Sequence, residues 1–478
     1  MNTKLEAFKK YINGKKVAVM GVGISNRPLI RYIHSLGANI TAFDALPKDD
    51  IVLSRTISDF EADGININWS CGSNYLDLLT TEKFDLIFRT PRMRNDVPEL
   101  VTAISNGAKL TSEMEVFMEL CPAKIFAVTG SDGKTTTTTL IYEMLKTTGR
   151  KVYVGGNIGT PLLDKSDEIS CDDYVVLELS SFQLLTMSIS ADISVVTNIT
   201  PNHLDVHKDY QEYIDVKTNI FRHERNTKVV LNSSNEITYN MRSLAHGDVM
   251  LFAQEESQDS NDMAFVRDGA LMVKVSGKVT KICDEDEILI PGKHNVENYL
   301  AAICAVFGYV EPSNMRKVAM TFKGVEHRIE LVTEYNGVKI YNSSIDTSPN
   351  RTINTMNALK LRGMKGVLIA GGADKNCIYT GLGDAILNVC DKVIICDAKH
   401  EKSNTKQIID ILASEANGRE YLCETISEYD DAIKRAIELA NEGEIIILSP
   451  VGTSYDRFRH FEERGKLFKD LVLDITSK

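Results

Sequence analysis

The sequence lacks any apolar run long enough to cross a lipid bilayer, and its first residues lack the apolar core of a secretory signal. Its nine cysteines include no CxxC pair and no zinc-like spacing. This scatter argues against a disulfide framework and is typical of free thiols in a reducing compartment. We therefore predict a cytoplasmic protein that does not insert into a membrane.

The sequence also lacks an excess of positive charge. Its 478 residues include 54 lysines and arginines against 66 aspartates and glutamates, which gives a formal net charge of −12. Such a balance disfavours general binding to nucleic acid or to anionic lipid, so local donors would have to hold any anionic ligand. The length predicts two or three domains.

What the chain does contain is a short phosphate loop that joins an apolar, strand-like segment (125–128) to a helical one. Backbone N–H groups converge at such a helix N-terminus, where the helix dipole favours phosphate. Lys134 would reach the outer phosphates, and the Thr135 hydroxyl would ligate Mg²⁺. A full Walker A pattern has a glycine where this chain has Val128, so the loop is a shortened form, and an ordinary glycine turn is the alternative. The predicted loop residues are Gly130, Ser131, Asp132, Gly133, Lys134, Thr135 and Thr136.

A second glycine turn lies near the N-terminus. The strand-like segment 16–20 leads into GVGISN at 21–26, and the next strand-like segment, 38–43, ends at Asp44. This βαβ start predicts an open α/β domain that binds a nucleotide or diphosphate at its strand ends. NAD is one candidate ligand, but the phosphate loop downstream favours a nucleotide-linked substrate.

Alternating strand-like and helical segments predict three α/β domains, each built on a mostly parallel, doubly wound sheet. We expect a Rossmann-like first domain, a central domain that contains the phosphate loop and a Rossmann-like third domain. One segment, 247–287, has short β-like runs and predicts an antiparallel flap. Ser427 is predicted to cap a helix over 428–441. The predicted domain bounds are 1–112, 113–325 and 326–478.

Several polar residues follow predicted strands of the second domain. Glu178 ends one strand, where a Mg²⁺ ligand is expected, and capping of the next helix is the alternative. His203, Asp205 and His207 share one loop, which suggests a second metal or a phosphoryl contact, with Mg²⁺ favoured over zinc. Lys217 would, from sequence alone, be a solvated surface lysine.

Taken together, these stretches resemble the signatures of the Mur ligase family over essentially the whole chain. The central signatures are TGSDGKTT (129–136), ELSSFQL (178–184), NITPNHLD (198–205) and GKHNVEN (292–298). The third domain contains AGGADK (370–375), SPVGTSYDRF (449–458) and FEERG (461–465), which look like the member that adds D-glutamate.

The resemblance implies an ATP-dependent amide ligase of peptidoglycan precursor synthesis, which adds D-glutamate to UDP-N-acetylmuramoyl-L-alanine. ATP would convert the alanyl carboxylate to an acyl phosphate, and the amine of D-glutamate would displace phosphate. The first domain would bind the uridine nucleotide, the second ATP, and the third would close over both with the amino acid. ATP and Mg²⁺ are the implied cofactors, the two substrates are the implied partners, and a monomer is expected.

The resemblance also implies roles for particular residues. Lys134, His203 and Lys217 would be catalytic, with Lys217 carbamylated and therefore an anionic Mg²⁺ ligand. The implied metal ligands are Thr135, Glu178, His203 and Lys217. Beside the phosphate loop, the implied ATP contacts are Asn298 and Arg328. The implied contacts to the UDP-linked substrate are Ile24, Ser25, Asp44, Asn157 and Gln183. The implied contacts to the amino acid are Thr347, Lys375, Ser454 and Phe461.

Two positions depart from the family pattern. Thr90-Pro91-Arg92 replaces the usual Ser-Pro-Gly and adds a cation where backbone would approach the substrate. Ser343 stands where the family has an aspartate that contacts ATP, and Asp346 is the nearest substitute. From the sequence we expect Ser343→Asp to raise kcat or to lower the KM for ATP, with a gain of roughly tenfold or more.

Three other functions fit parts of the sequence. Another amide ligase of the same superfamily, such as a folylpolyglutamate synthase or a Mur ligase for another amino acid, shares the phosphate loop. A catalytically weak paralogue that binds nucleotide and regulates cell-wall synthesis would explain Ser343. A dehydrogenase would use the first glycine turn.

Overall fold

The computed structural model describes residues 2–23, 25–201, 206–257, 260, 262–290, 292–374, 377–397, 402–458 and 460–477. The chain divides into two compact units. Unit 1 comprises Met1–Ile288 with Lys293–Met320, and unit 2 comprises Leu289–Gly292 with Thr321–Lys478. Unit 1 contains two sheets and unit 2 contains one. The predicted α/β class with three largely parallel sheets is confirmed.

The first sheet of unit 1 has five strands, all parallel. Its strands are β1 (Lys16–Met20), β2 (Asn39–Asp44), β3 (Asn68–Cys71), β4 (Leu86–Phe88) and β5 (Lys109–Thr111). Its helices are α1 (Thr3–Ile12), α2 (Asn26–Ser35), α3 (Ile51–Ala62), α4 (Leu78–Thr81), α5 (Pro98–Ser105) and α6 (Glu113–Leu120). The strand order is β3-β2-β1-β4-β5, so the direction of winding reverses between β1 and β4. Ligands of doubly wound sheets bind at this switch point, outside the carboxyl ends of the strands.

The second sheet has nine strands in the order β14-β13-β12-β11-β10-β9-β6-β8-β7. Its strands are β6 (Lys124–Thr129), β7 (Val152–Gly156), β8 (Tyr174–Glu178), β9 (Ile193–Val196), β10 (Lys228–Asn232), β11 (Asp248–Phe252), β12 (Met263–Arg267), β13 (Ala270–Val275) and β14 (Lys278–Asp284). Its helices are α7 (Lys134–Lys146), α8 (Ser181–Leu184), α9 (Tyr210–Thr218), α10 (Glu236–Asn240), α11 (Lys293–Val306) and α12 (Pro312–Thr321). The phosphate loop and Glu178 both lie at the carboxyl ends of these strands, on neighbouring β6 and β8.

The prediction of an antiparallel flap over 247–287 was only partly right. β11 pairs in parallel with β10, and β12 pairs in parallel with β11. Only β12, β13 and β14 are antiparallel neighbours. The reason is the connection: α10 lies between β10 and β11 and returns the chain to the starting end of the sheet, which parallel pairing requires.

The two sheets of unit 1 share one continuous apolar core. Leu5 of α1 and Val19 of β1 belong to the same buried cluster as Ile125 of β6 and Phe221. Burial of this shared surface explains why the two sheets form one compact unit.

Unit 2 contains a six-stranded sheet in the order β15-β16-β20-β17-β18-β19. Its strands are β15 (Glu330–Tyr335), β16 (Val338–Asn342), β17 (Gly366–Ala370), β18 (Cys390–Cys396), β19 (Leu422–Ile426) and β20 (Ile445–Leu448). Its helices are α13 (Pro349–Leu361), α14 (Leu382–Leu387), α15 (Thr405–Glu415), α16 (Tyr429–Leu439) and α17 (Phe461–Thr476). β15 and β16 form an antiparallel hairpin, and the other pairs are parallel.

The predicted cap at Ser427 was wrong. Glu428 is the N-cap residue of α16, and its side chain makes no capping hydrogen bond. Asp430 and Asp431 in the first turn complement the positive end of the helix dipole instead.

All nine cysteines lie in described residues and have free thiols, as expected. Within the described ranges, no helix has the length and apolar character needed to cross a membrane.

Candidate functional site

Two glycines hold the phosphate loop in its shape. Gly130 and Gly133 have φ angles of 144° and 78°, in the region that favours glycine. A Cβ atom on Gly130 would overlap the hydroxyl of Thr197, and one on Gly133 would overlap the amide oxygen of Asn298. Conformation and space therefore both require glycine at these two positions.

The segment after β9 supports the loop from one side. The Asn198 carbonyl accepts from the Ser131 N–H (2.8 Å), and the Asn198 side chain accepts from the Asp132 N–H (2.9 Å). The Thr197 hydroxyl donates to the Asp132 carbonyl at 2.6 Å. Because the Ser131 and Asp132 amides are used inside the protein, the amides available for phosphate begin at Gly133. Sequence reasoning assigned no role to Thr197 or Asn198, although Asn198 begins the NITPNHLD signature and Thr197 directly precedes it.

The start of α7 has the cation and hydroxyl expected for phosphate and metal. Lys134 is its first residue, and its Nζ donates to the Ser131 carbonyl at 2.9 Å. The first N–H groups of a helix have no partner within the helix, so those of Lys134, Thr135 and Thr136 suit an anion. Thr135 is buried.

Asn298 lies beneath the loop. Its Oδ1 accepts from the Thr137 hydroxyl (3.3 Å), and its Nδ2 donates to Asn295 Oδ1 (3.2 Å). Both ends of this amide are therefore used inside the protein, and its observed contacts support the Gly133 turn.

Glu178 presents a carboxylate beside the loop. It pairs with Val128 across the β6–β8 ladder and is 1 % exposed. Its Oε1 accepts from Asn157 Nδ2 at 2.7 Å, while its buried Oε2 has no hydrogen-bond partner in the described part of the chain. A buried carboxylate oxygen in this state is costly unless a cation or another donor meets it.

Lys217 is buried, so the interpretation as a solvated lysine was wrong. It is 1 % exposed, and its Nζ donates to the Gly130 carbonyl (2.9 Å) and the Thr129 hydroxyl (3.3 Å). Burial lowers the pKa of its amine well below the ordinary value, and the charge of Lys134 adds to the effect, which Glu178 only partly opposes. These surroundings therefore disfavour the charged form of the amine.

The donor set fits Mg²⁺. The described residues contain no group of three or more His, Cys, Asp or Glu side chains that could form a protein-only cage. Mg²⁺ typically takes one or two protein oxygens and completes its shell with waters and substrate phosphates. The unpartnered oxygen of Glu178 and the hydroxyl of Thr135, beside a phosphate loop, match that pattern. His203 and Asp205 lie outside the described residues.

His207 is not arranged as a metal ligand. Its Nε2 is 2.9 Å from the Ser181 hydroxyl, its Nδ1 is 3.3 Å from Glu212 Oε2, and its ring stacks on Phe182. Burial lowers its pKa, against the opposing effect of Glu212. The sequence suggested a second metal or a phosphoryl contact for this loop, but both ring nitrogens of His207 already have partners inside the protein.

The N-terminal glycine turn is fixed by side chains of the first sheet. Asp44 accepts from the Val22 N–H (3.0 Å) and the Leu46 N–H (3.0 Å). Asn26 donates to the carbonyls of Met20 and Gly21 at 3.0 and 2.8 Å. Asp44 therefore shapes the turn as well as being the predicted substrate contact.

Other predicted substrate residues are placed as follows. Ser25 is the N-cap of α2 and makes no side-chain capping bond. Gln183 uses its amide oxygen in a capping box with Ser180, which leaves its amide nitrogen for a ligand. The side-chain amide of Asn157 donates a hydrogen bond to Glu178 Oε1. Ile24 lies outside the described residues.

In unit 2, Asp346 lies against Ser343. The carboxylate of Asp346 accepts from the Ser449 hydroxyl at 2.7 Å and from the hydroxyls of Ser343 and Thr355. Burial raises its pKa, and these hydrogen bonds and the charge of Arg328 oppose the rise. A carboxylate is thus present at the position where Ser343 replaces the usual aspartate.

Three of the predicted amino-acid contacts, Thr347, Ser454 and Phe461, follow β16 or β20 in the chain. Thr347 lies just before α13, Ser454 is buried after β20, and Phe461 begins α17 and packs edge-on against His327 at 5.8 Å. Lys375 lies outside the described residues.

Arg464 belongs to the FEERG signature, but sequence reasoning assigned it no role. It is 1 % exposed and donates to the carbonyls of Ser344 (3.0 Å) and Gly452 (3.2 Å). It therefore joins the loop after β16 to the loop after β20.

Comparison with known proteins agrees with this geometry. Residues 128–306 match the model of the Mur ligase middle domain, and residues 327–452 match that of the Mur ligase, glutamate ligase domain. The chain belongs to the Mur ligase family.

Two relatives match it from end to end. The chain is 48% identical to the UDP-N-acetylmuramoylalanine–D-glutamate ligase of Ruminiclostridium cellulolyticum, over 99% of this chain and 100% of that one. It is 49% identical to the enzyme of the same name from Acetivibrio thermocellus, over 100% of both chains. Among solved structures, the UDP-N-acetylmuramate–alanine ligase of Thermotoga maritima has the same fold, with a TM-score of 0.54 and 20% identity over 97% of this chain and 100% of that one.

For this Mur ligase, the structure reverses the expectation for Ser343→Asp. The new carboxylate would lie against buried Asp346, and two adjacent carboxylates cannot both ionise without a large free-energy cost. We therefore expect kcat/KM for ATP to fall about tenfold, equivalent to about one pKa unit of repulsion. Steady-state kinetics would measure it.

Ser343→Asn is the matched control, because it adds similar volume without charge and should lose less. The difference between the two variants should shrink at lower pH, as one carboxyl group takes up a proton. If Ser343→Asp were faster than the native enzyme, the predicted repulsion by Asp346 would be contradicted. That result would support the alternative that the chain is a catalytically weak paralogue.

Proposed function

We propose that this protein is an ATP-dependent ligase that adds D-glutamate to UDP-N-acetylmuramoyl-L-alanine in peptidoglycan precursor synthesis, with Mg²⁺. The observation that carries the proposal is the 48–49% identity, over the full chain, to enzymes named for this reaction. The phosphate loop, Glu178 and buried Lys217 supply a site of the chemistry that the reaction needs.

The reaction must activate a poor electrophile. The alanyl carboxylate attacks the γ-phosphorus of ATP, and ADP leaves with the bridging oxygen. The free amine of D-glutamate, having lost a proton, then attacks the acyl carbon and forms a C–N bond. The C–O bond to phosphate breaks, and the nitrogen passes a further proton to the departing phosphate. Two anions meet in the first step, so Lys134 and the amides from Gly133 onward stabilise the charge that builds on the transferred phosphoryl group.

Thr135, Glu178 and Lys217 would hold Mg²⁺, and His203 is a further proposed ligand. The ion would neutralise charge on the phosphate oxygens. Asn298 and Arg328 are proposed to contact ATP. The charge of Asp346, which accepts a hydrogen bond from Ser449, would help to hold Arg328 in place. The residues proposed to bind D-glutamate are Thr347, Lys375, Ser454 and Phe461, and those proposed to bind the UDP-linked substrate are Ile24, Ser25, Asp44, Asn157 and Gln183.

Lys217 is proposed to act as a carbamate. Its amine attacks the carbon of CO₂, an N–C bond forms, and one proton leaves the nitrogen, so the side chain gains a negative charge. The lowered amine pKa supports this step, because only the neutral amine is nucleophilic. An anion on this stem, close to Glu178, would add a second carboxylate-like oxygen donor for the metal.

We further propose that the chain acts in the cytoplasm as a monomer, in keeping with its free thiols and with a site whose proposed residues all come from one chain. Equilibrium sedimentation at micromolar concentration would test this proposal, because it measures the mass of the protein in solution.

The assay that tests the function measures phosphate release with ATP and UDP-N-acetylmuramoyl-L-alanine, and offers one amino acid at a time. We expect turnover only when D-glutamate and the UDP-linked substrate are both present. The matched control omits the UDP-linked substrate. Equal turnover with meso-diaminopimelate, or with a folate in place of the UDP-linked substrate, would overturn the proposal.

A further inference from the structure

The loop that follows β4 lies at the switch point of the first sheet. β1 and β4 are neighbours there, and the chain leaves them in opposite directions. The side chain of Thr90 is 3.4 Å from the position that a Cβ on Gly21 would occupy. The loop after β4 and the glycine turn after β1 therefore line one crevice, where a ligand of this sheet is expected.

A buried arginine fixes the shape of this loop. Arg89 is 1 % exposed and donates to the carbonyls of Pro91 (2.8 Å) and Met93 (2.6 Å). It also donates to the Thr186 hydroxyl at 3.0 Å and to the Phe182 carbonyl. Burial lowers its pKa to about 10, which leaves the guanidinium charged at neutral pH. The loop is thus tied to α8, the segment that follows Glu178.

Arg92 is the exposed cation of this loop, and it has no carboxylate partner among the described residues. It is exposed, and its guanidinium carbon lies 5.7 Å from the centre of the Phe182 ring, with no ion pair or hydrogen bond to any described residue. Its neighbour Arg94 is different, because it pairs with Glu212 and Asp96 at 3.0 Å each. An arginine held over a ring keeps all its N–H donors free for an anion.

The covalent order of the proposed substrate indicates which anion this is. Its alanyl carboxylate must reach the phosphate loop near Glu178, and its uridine is proposed to lie on the turn after β1. The diphosphate lies between these two ends of the molecule and must pass between the crevice and α8. Arg92 follows Thr90 of the crevice by two residues, and its guanidinium lies over Phe182. Phe182 is four residues after Glu178 in the chain, so Arg92 is suited to meet this middle part of the substrate.

We infer that Arg92 binds the diphosphate of the nucleotide-linked substrate, and this inference rests on the proposed function. In the sequence pattern that the resemblance implies, this position is a glycine, whereas this chain has Arg92. A guanidinium offers paired N–H donors that match phosphate oxygens, whereas a glycine offers its backbone amide alone.

The test compares Arg92→Gly, Arg92→Lys and Arg150→Gly by titration calorimetry with three probes: UDP-N-acetylmuramoyl-L-alanine, UDP and uridine. Arg150 is the matched control, because it is also an exposed arginine over an aromatic ring, 5.1 Å from Tyr174, but at the amino end of β7.

We expect Arg92→Gly to weaken the binding of UDP-N-acetylmuramoyl-L-alanine and of UDP about tenfold, the low end for a charge-assisted contact. Uridine binding should not change, Arg92→Lys should lose less, and Arg150→Gly should match the native protein. The KM for the UDP-linked substrate should rise more than kcat falls.

Two results would overturn the inference alone: native affinity for UDP in Arg92→Gly, or equal losses for uridine and UDP, which would indicate a structural role. Failure of the native protein to bind or turn over the UDP-linked substrate would overturn the proposed function together with the inference. Raising the salt concentration should narrow the gap between the native protein and Arg92→Gly, because the contact is exposed.

Discussion

Lys217→Ala is expected to lose at least 10²–10³-fold in kcat, the range seen when one preorganised charge-stabilising group is removed from an active site. Acetate or another short carboxylate is expected to restore part of the loss. The reason is that the carbamate would be an anion on a long stem beside Glu178, and the deletion leaves space in which a free carboxylate can take its place. Phosphate release, measured as the acetate concentration rises, would show the rescue as a saturating increase.

Lys228→Ala is the matched control for this experiment. Lys228 is a half-buried lysine at the start of β10, in the second sheet. Its pKa is also lowered by burial, and its Nζ donates to the carbonyls of Cys304 (3.1 Å) and Phe307 (3.2 Å). Its deletion should lower the free energy of unfolding, and carboxylates should not restore any activity. A Lys217→Ala enzyme that is fully active without additives, or one that is folded and unaffected by every carboxylate, would contradict the carbamate.

Lys134→Ala is expected to abolish ligation, with a loss of about 10³-fold or more, while the affinity for the UDP-linked substrate stays nearly unchanged. The two effects should separate because Lys134 begins α7 beside the second sheet, whereas the uridine end of the substrate is assigned to the first sheet. Titration calorimetry with the UDP-linked substrate, beside the activity assay, would measure both.

Lys146→Ala is the matched control, since Lys146 ends the same helix in an exposed pair with Glu143 at 3.1 Å. Exposed pairs of this kind contribute little, so both readouts should match the native protein. A parallel loss of ligation and of UDP-substrate affinity in Lys134→Ala would mean that the two ligands are assigned to the wrong sheets.

The local features of the site could be predicted from the sequence because the residues that form them are close together in the chain. A buried strand, two glycines and a helix start predicted the loop at 130–136, and a carboxylate at a strand end predicted Glu178 beside it. The order of the elements also predicted largely parallel sheets, since helices between strands return the chain to the same end. These signals depend on periodicity and turn chemistry, which are properties of short segments.

Contacts between distant segments could not be predicted in this way. The burial of Lys217 depends on packing of α9 against a loop 87 residues earlier, and no local pattern encodes it. The use of the Ser131 and Asp132 amides by Asn198 depends on two strands being neighbours in the sheet. In both cases the surroundings change the free energy of a charged group or of a backbone N–H group. Only the folded chain defines those surroundings.

The sequence by itself determined the fold class, the phosphate loop and the resemblance to the Mur ligases, because each is carried by residues that are contiguous or regularly spaced. Only the tertiary structure decided that Lys217 is buried, that the ring nitrogens of His207 contact Ser181 and Glu212, and that Asp346 lies against Ser343. Burial and hydrogen bonding are set by which distant side chains meet, and they in turn set the charge state on which the chemistry depends.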